Sequence, residues 1–323
     1  MSLSPAASTP VPGEPAPRIT LQTLRRMAKA GEAFAALTCY DATTARWLAR
    51  GGVHILLVGD TAAEVVLGLP RTIDMPLDVL IALTAGVKRG APNCVVMADM
   101  PFMSYQSDDA TAIRNAGRFL TEGLADIVKI EADARLADRI AKIVHAGIPV
   151  CAHVGSRPQY VALTGGYTAA GRTPDTAKEV IDDAVACEKA GAQMLLIEAV
   201  PHEVADQVLA RTSIPVIGIG AGPACHGQVL VLQDLVGMTD RPPRFAEPVA
   251  DIGRNFQAAA AEWVGRVARR QIGGQPYRMR VPTGATPGVA ASQPPAAPTR
   301  DGFRDLARPG ERHAAAPDRS GTS

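Results

Sequence analysis

Charged and polar side chains stand at the carboxyl ends of successive short apolar runs. They are Asp60, Asp99, Lys129, Glu131, His153 and Glu198. Carboxylate oxygens suit a hard divalent cation, and Mg²⁺ usually takes one or two of them and completes its shell with water and substrate. Lysine can hold an anionic group, and histidine or glutamate can exchange a proton. The set predicts metal-assisted acid–base chemistry, with Asp60 and Asp99 as direct ligands and Glu131 holding a water on the metal or pairing with Lys129.

Taken alone, each residue also has a structural explanation. Asp60 could cap a helix, Asp99 could belong to a turn before proline, and Lys129 could form an ion pair with Glu131. His153 could be a hydrogen-bonded core histidine, and Glu198 could bond to a loop backbone. Their shared position at successive strand ends favours the functional interpretation. Unpaired buried carboxylates are costly, so a cation or several donors must compensate them.

The apolar runs predict eight strands. Most do not alternate with polar residues, which is typical of parallel strands buried on both faces. They lie at 35–40, 54–60, 94–100, 126–132, 149–155, 194–200, 215–222 and 228–234. Repeated strand–helix units give an open doubly wound sheet or a closed barrel, and eight strands favour a (β/α)₈ TIM barrel.

Helix signals fill most of the intervals. DATTARWLARGG begins at Asp41 and SDDATAIRNAGRFLTEG at Ser107, while PLDVLIALTAGVKRG ends at Gly90. ADARLADRIAKIVHAG and TPDTAKEVIDDAVACEKAG repeat the scheme. The interval 222–228 is too short for a full crossover helix, so we expect a single turn there.

The spacing of Lys129 and Glu131 orients both side chains. Residues two apart on a strand point to the same side, so with Val128 and Ile130 facing the helices the charged pair points into the barrel. Barrel enzymes place their chemistry where the carboxyl ends of the strands converge. The GIGAG segment (218–222) can form an anion nest, although tight strand-to-turn packing explains its glycines nearly as well.

Composition narrows the class of protein. A formal charge of +1 over 323 residues gives no electrostatic reason to expect nucleic acid or an anionic membrane as a partner. We find no signal peptide or long apolar span and expect a cytoplasmic protein. The five cysteines form no CxxC pair and are expected to be buried free thiols. Half of the 26 prolines lie in 1–17 and 271–323, which predicts disordered tails around a folded part at 18–270.

Several motifs resemble the ketopantoate hydroxymethyltransferase (3-methyl-2-oxobutanoate hydroxymethyltransferase) family. They are LVGDT (57–61), RGAPNCVVMADMPFMSY (89–105), VKIEA (128–132), VCAHVG (150–155), GGYTAAGR (165–172), LLIEAVP (195–201) and IPVIGIGAG (214–222). The resemblance implies a barrel of the phosphoenolpyruvate/pyruvate superfamily type and a homodecamer. It also implies hydroxymethyl transfer from 5,10-methylenetetrahydrofolate to 3-methyl-2-oxobutanoate in pantothenate biosynthesis, through a Mg²⁺-stabilised enolate.

The resemblance assigns a role to each matching residue. It implies that Asp60 and Asp99 bind the metal and that Glu131 lies near it in the outer shell. It also implies that Lys129 binds the substrate carboxylate, that His153 lies in the substrate site and that Glu198 is the general base. Asp60 and Asp99 would thereby also contact the chelated substrate. Thr61 replaces the usual serine, and its backbone N–H and hydroxyl can bind the substrate carboxylate.

Some segments depart from the family pattern. Residues 62–86 lack the TLPVT-like run and carry Leu83 in place of a frequent histidine; Arg157 replaces a threonine, and residues 226–228 read HGQ instead of DGQ. These changes leave open a paralogue with another 2-keto acid or one-carbon donor, a C–C lyase or phosphonomutase, and a non-catalytic barrel subunit. The retained charged positions and the missing KKCGH-like segment favour the transferase.

Overall fold

The computed structural model describes residues 17–274 and Tyr277. Eight parallel strands form a closed barrel in chain order, with the last strand pairing with the first. The strands are β1 (Phe34–Thr38), β2 (Ile55–Val58), β3 (Val95–Asp99), β4 (Ile127–Glu131), β5 (Val150–Gly155), β6 (Met194–Glu198), β7 (Val216–Ile219) and β8 (Gly227–Leu230). The predicted barrel and its eight strands are confirmed.

Helices follow most of the strands. They are α1 (Leu21–Ala30), α2 (Ala42–Arg50), α3 (Ala62–Val65), α4 (Leu77–Gly90), α5 (Asp109–Thr121), α6 (Ala137–His145), α7 (Val161–Thr164), α8 (Pro174–Lys189), α9 (His202–Arg211), α10 (Leu232–Leu235) and α11 (Ile252–Ala268). Asp41 caps α2 as predicted, accepting from the N–H groups of Thr43 and Thr44. The cap of α5 is Asp108, not Ser107, because the Asp108 side chain accepts from Thr111 N–H. No helix separates β7 from β8 within this described part of the chain.

Alternate residues of the strands build two apolar layers. In β2, Ile55 and Leu57 pack inside the barrel, whereas Leu56 and Val58 pack in the layer that contains the surrounding helices. Each such side chain contributes roughly 1.5–3 kcal/mol when fully buried. The five cysteines are buried and free, as expected.

Helix α1 was not foreseen from the sequence. A capping box between Thr20 and Thr23 starts it, and its buried Leu24 joins the apolar cluster inside the barrel. Ile19 N–H donates to the Asn93 carbonyl just before β3, which ties the entry to α1 to the amino ends of the strands. The helix therefore closes the amino end of the barrel with an apolar side chain.

The chain divides into two units, Met1–Arg254 and Asn255–Ser323, and the barrel lies in the first. In the second, α11 exposes Phe256, Trp263 and Val264. None of the helices that the structure describes is long and apolar enough to cross a bilayer. The predicted disordered tails lie almost wholly outside the described residues.

Candidate active site

A cavity of about 580 Å³ opens at the carboxyl ends of the strands. It falls within the usual range for small-molecule sites. The structure brings all of the predicted site residues together in its lining: Asp60, Thr61, Asp99, Lys129, Glu131, His153 and Glu198. Residues more than a hundred positions apart thus converge because parallel barrel strands end at one face.

Asp99, at the end of β3, contacts residues at the ends of the two neighbouring strands, β2 and β4. Its Oδ2 accepts a hydrogen bond of 3.0 Å from Asp60 N–H, and its Oδ1 lies 3.1 Å from Lys129 Nζ. The register of β3 and β4 sets Asp99 directly opposite Lys129. The two-residue spacing suggested an ion pair between Lys129 and Glu131, but the close ion pair of Lys129 is with Asp99.

The site holds more buried negative charge than one lysine balances. Burial, followed by the charge of Asp99, raises the pKa of Asp60 to about 7. Burial and then the charge of Asp60 raise the pKa of Glu131 well above its ordinary value. Burial alone would lower the pKa of Lys129, but Asp99, Asp60 and Glu131 raise it, so the lysine stays charged. A further cation would relieve this excess of negative charge.

The donor set fits a hard divalent cation. Asp99 Oδ1 is buried and accepts no regular hydrogen bond from the described residues, despite its nearness to Lys129. In the same part of the chain no group of three or more histidine, cysteine, aspartate or glutamate side chains could hold a metal ion by itself. Asp60 and Asp99 would therefore supply two ligands, and water and substrate the rest, as Mg²⁺ commonly requires.

His153 lies between the lysine and the last glutamate. Its Nδ1 is 3.1 Å from Lys129 Nζ, and its Nε2 is 3.2 Å from Glu198 Oε2. Burial and the charge of Lys129 lower the pKa of His153, which favours the neutral ring. An ammonium group can only donate, so Nδ1 must accept and the ring proton sits on Nε2. Nε2 is near Glu198 but forms no regular hydrogen bond with the described residues.

Glu198 is the most open of the clustered carboxylates, with 22% of its side chain exposed. Two backbone contacts hold its strand end: Ser156 N–H donates to the Glu198 carbonyl, and Ala199 N–H donates to Ile219. Gly155 has φ +91° and a Cβ there would lie 2.6 Å from the Glu198 carbonyl oxygen, so glycine is required.

The GIGAG segment (218–222) is explained by packing, whereas Thr61 lines the cavity. A Cβ on Gly222 would lie 2.6 Å from His202 Cβ, and one on Gly218 would lie 2.9 Å from Cys225 Sγ, so close packing accounts for these glycines. The Thr61 side chain makes no capping bond to α3 and lines the cavity, where its hydroxyl is available to a ligand.

Sequence reasoning missed Gln159, which is buried in the 3₁₀ turn Pro158–Tyr160 after β5. Its side chain donates to Asp60 Oδ2 at 2.9 Å, and its backbone N–H donates to Glu131 Oε2 at 3.0 Å. The signal that could have found it is a polar residue in the loop directly after the strand that carries His153.

The segments that depart from the family pattern divide into two groups. Arg157 pairs with Asp133, stacks over Tyr160 and is not part of the cavity lining. By contrast Glu64, from the altered segment after Asp60, lines the cavity and accepts a 3.1 Å hydrogen bond from the Tyr167 hydroxyl. The altered segment after Asp60 therefore contributes partly buried Glu64 and buried Thr72 to the cavity lining, whereas Arg157 stays outside it.

Comparisons with known proteins give a consistent family assignment. The family described as "Ketopantoate hydroxymethyltransferase" matches residues 18–274. A relative from Mycolicibacterium paratuberculosis, named 3-methyl-2-oxobutanoate hydroxymethyltransferase, is 46% identical over 252 residues, covering 78% of this chain and 88% of the relative. One of the same name from Mycobacterium marinum is 45% identical over 272 residues, covering 81% and 91%.

Solved structures support the fold. A phosphonopyruvate hydrolase solved with oxalate and Mg²⁺ has a TM-score of 0.54 at 14% identity, covering 78% of this chain and 88% of its own. A 2,3-dimethylmalate lyase of the PEP mutase/isocitrate lyase superfamily has a TM-score of 0.53 at 20% identity, with the same coverage. At these identities the likeness establishes the barrel architecture alone.

Proposed function

The chain belongs to the ketopantoate hydroxymethyltransferase family, and on that premise we propose that it transfers a hydroxymethyl group from 5,10-methylenetetrahydrofolate to 3-methyl-2-oxobutanoate, giving 2-dehydropantoate. The observation that carries the proposal is the convergence of the seven expected site residues on one cavity. The altered segments add Glu64 and Thr72 to the lining, but they replace none of its charged residues and leave His153 in place.

The carboxylate of the keto acid would be held by the Lys129 ammonium and by the backbone and hydroxyl of Thr61. Lys129 stays charged because three carboxylates surround it, so it can pair with an anion as well as with Asp99. Leu57, Leu196 and Ile219 line the cavity. They offer an apolar wall to the isopropyl group of the keto acid and to the folate rings.

Asp60 and Asp99 would hold a Mg²⁺ ion directly, with Glu131 placed to accept from a water beside it. When bound, the ion supplies positive charge where negative charge develops on the substrate. The raised pKa values of Asp60 and Glu131, caused chiefly by burial, mark carboxyl groups that a cation would return to their ionised form.

Glu198 would remove the proton from C3 of the keto acid. His153 Nε2 lies 3.2 Å from Glu198 Oε2 without a regular hydrogen bond, and Glu198 Oε1 would accept the substrate proton. The resulting carbanion would form a bond to the one-carbon group of the folate as the first of its two C–N bonds breaks. The second C–N bond breaks when the folate amine leaves, and water provides the hydroxyl group of the product. The proton from C3 and one from water end on the two folate nitrogens, so that tetrahydrofolate is released.

The proton step can be tested without folate. Wild-type protein with Mg²⁺ should exchange the C3 hydrogen of 3-methyl-2-oxobutanoate in D₂O, followed by NMR, and Glu198→Gln should abolish the exchange. Glu64→Gln is the matched control, because Glu64 lines the same cavity at its mouth, and it should exchange normally. Normal exchange in Glu198→Gln would remove that residue from the base role.

Mass spectrometry of the product then tests the substrates. Methylenetetrahydrofolate with several branched 2-keto acids should yield 2-dehydropantoate from 3-methyl-2-oxobutanoate preferentially. Turnover of 2-methylisocitrate or phosphoenolpyruvate instead would favour the lyase or mutase alternative. The homodecamer and the cytoplasmic location implied by the family belong to the same proposal, and native mass spectrometry measures the assembly.

A further inference from the structure

Gln159 bridges two carboxylates of the cavity floor. Its Nε2 donates to Asp60 Oδ2 at 2.9 Å and to the Met100 carbonyl at 3.0 Å. Its backbone N–H donates to Glu131 Oε2 at 3.0 Å. The residue is only 3% exposed, and it does not line the cavity itself. It therefore acts on the site from behind, through the side chains that face the cavity.

The chemistry of its neighbours fixes the amide in one orientation. The Met100 carbonyl can only accept, as can the Asp60 carboxylate when it is ionised, whereas the Tyr105 hydroxyl at 2.8 Å and the Gln106 amide nitrogen at 3.1 Å donate to Oε1. A half-turn of the amide would set Oε1 against the Met100 carbonyl and the ionised Asp60 carboxylate, which are both acceptors. The Met100 carbonyl, which accepts in every protonation state, therefore sets the direction in which Gln159 Nε2 donates.

Each hydrogen bond donated by Gln159 to a carboxylate engages one of its two oxygens and leaves the other oxygen available. Asp60 Oδ2 and Glu131 Oε2 are taken by Gln159, and the described residues place no hydrogen bond on Asp60 Oδ1 or Glu131 Oε1. Both groups are buried, and free rotation would otherwise allow several arrangements of their oxygens. Fixing them beforehand lowers the entropy lost when a cation binds.

We infer that Gln159 is a positioning residue for the divalent cation. It turns Asp60 and Glu131 so that one oxygen of each remains available, the first to the ion and the second to a water beside it. The inference rests on the metal site of the proposed function, and it assigns the ordering of that site to a residue outside the cavity lining.

Calorimetric titration of metal-free, full-length protein with Mg²⁺, without substrates, tests the inference. Gln159→Met keeps the volume but removes the side-chain donor, and Mg²⁺ should bind about 10–100-fold more weakly, as is usual for groups that orient metal ligands. Gln106→Met is the matched control. It removes a neighbouring amide that touches Gln159 but no carboxylate, and affinity should stay within about threefold.

Circular dichroism and the Tm establish that each variant is folded. Gln159→Asn keeps the backbone bond to Glu131 but is one methylene too short to reach Asp60, so it should also weaken Mg²⁺ binding. It decides the question if Gln159→Met does not fold. A folded Gln159 variant that binds Mg²⁺ as tightly as wild type would overturn the inference.

The Mg²⁺ dependence of C3 exchange separates positioning from general damage. In Gln159→Met the Mg²⁺ concentration for half-maximal exchange should rise with the dissociation constant, while the rate at saturating Mg²⁺ stays near that of wild type. A lower saturating rate with unchanged Mg²⁺ dependence would reduce Gln159 to a structural residue. Wild-type Mg²⁺ binding without hydroxymethyl transfer would refute the proposed function and leave the role of Gln159 intact.

Discussion

The two ends of the barrel are built from the same strands yet have opposite character. Along β4 the inward side chains change from Ile127, in the apolar interior, to Lys129 and Glu131, in the charged floor of the cavity. At the amino end Leu24 of α1 fills the opening instead. The clustered charged side chains thus lie at the end where the strands leave the core, and the other end is closed by apolar packing, which matches the usual division between catalysis and stability in this fold.

The largest effect should come from Lys129→Met at the carboxyl end. It removes the buried ammonium and leaves Asp60, Asp99 and Glu131 without their shared cation, so stability should fall by about 3–5 kcal/mol. Exchange of the C3 hydrogen should be lost as well. Denaturant unfolding gives the free energy, and adding Mg²⁺ should recover part of it because the ion supplies the missing charge.

Lys178→Met provides the control for losing a lysine. Lys178 forms an exposed ion pair with Asp182 on α8, and such pairs contribute little. If Lys129→Met were as stable as Lys178→Met and kept its exchange activity, the charged floor would not depend on this lysine.

Leu24→Ala should produce the next largest effect, at the opposite end. A buried leucine replaced by alanine leaves a cavity, and stability should fall by about 2–5 kcal/mol. Because the site lies at the other end of the strands, the exchange rate of the folded variant should be unchanged. Leu21→Ala, at a partly buried position on the same helix, should have a smaller effect. A large loss of exchange in folded Leu24→Ala would contradict the separation of the two ends.

The strands and most of the site could be predicted because both are encoded locally. An apolar run of five residues marks a buried strand, and the polar residue that ends it marks the face where strands converge, as Asp60 and His153 illustrate. The topology then brings these residues together without any knowledge of the loops.

The remaining features depend on contacts that no local pattern encodes. Lys129 pairs with Asp99 because of the register between β3 and β4, whereas the sequence shows only the nearer Glu131. Gln159 reaches Asp60 only because a 3₁₀ turn folds it back beneath the cavity. The role of Leu24 similarly requires α1 to dock across the barrel's amino end.

Gly155→Ala should have an intermediate effect at the carboxyl end. The positive φ strains any other residue, and the added Cβ would meet the Glu198 carbonyl, so stability should fall by about 1–3 kcal/mol and exchange should slow. Gly147→Ala is matched, because Gly147 also has a positive φ but nothing within 4 Å of the added Cβ. It should lose some stability and keep its exchange rate. Equal exchange rates in the two variants would show that Gly155 does not position Glu198.

The smallest expected effect is a change in the pH dependence of stability, caused by two histidines at the amino end of the barrel. His54 Nδ1 accepts from Ala35 N–H, and His226 Nδ1 accepts from Val216 N–H, each just before a strand. Burial lowers the pKa of both imidazoles below the ordinary 6.5. The folded protein therefore prefers the neutral rings, so their contribution is complete above pH 6.5 and is lost as the pH falls through 6.5 towards the lower folded values.

Replacing both histidines by asparagine keeps an acceptor near each backbone N–H but removes the titration. Between neutral and mildly acidic pH, the Tm of His54→Asn/His226→Asn should then fall less than the Tm of wild type. The corresponding difference in the free energy of unfolding is at most about 1 kcal/mol per site. His145→Asn, at an exposed position, should keep the wild-type slope. An unchanged slope in the double variant would assign the acid sensitivity to the charged end of the barrel, where protonation of carboxylates would have to account for it.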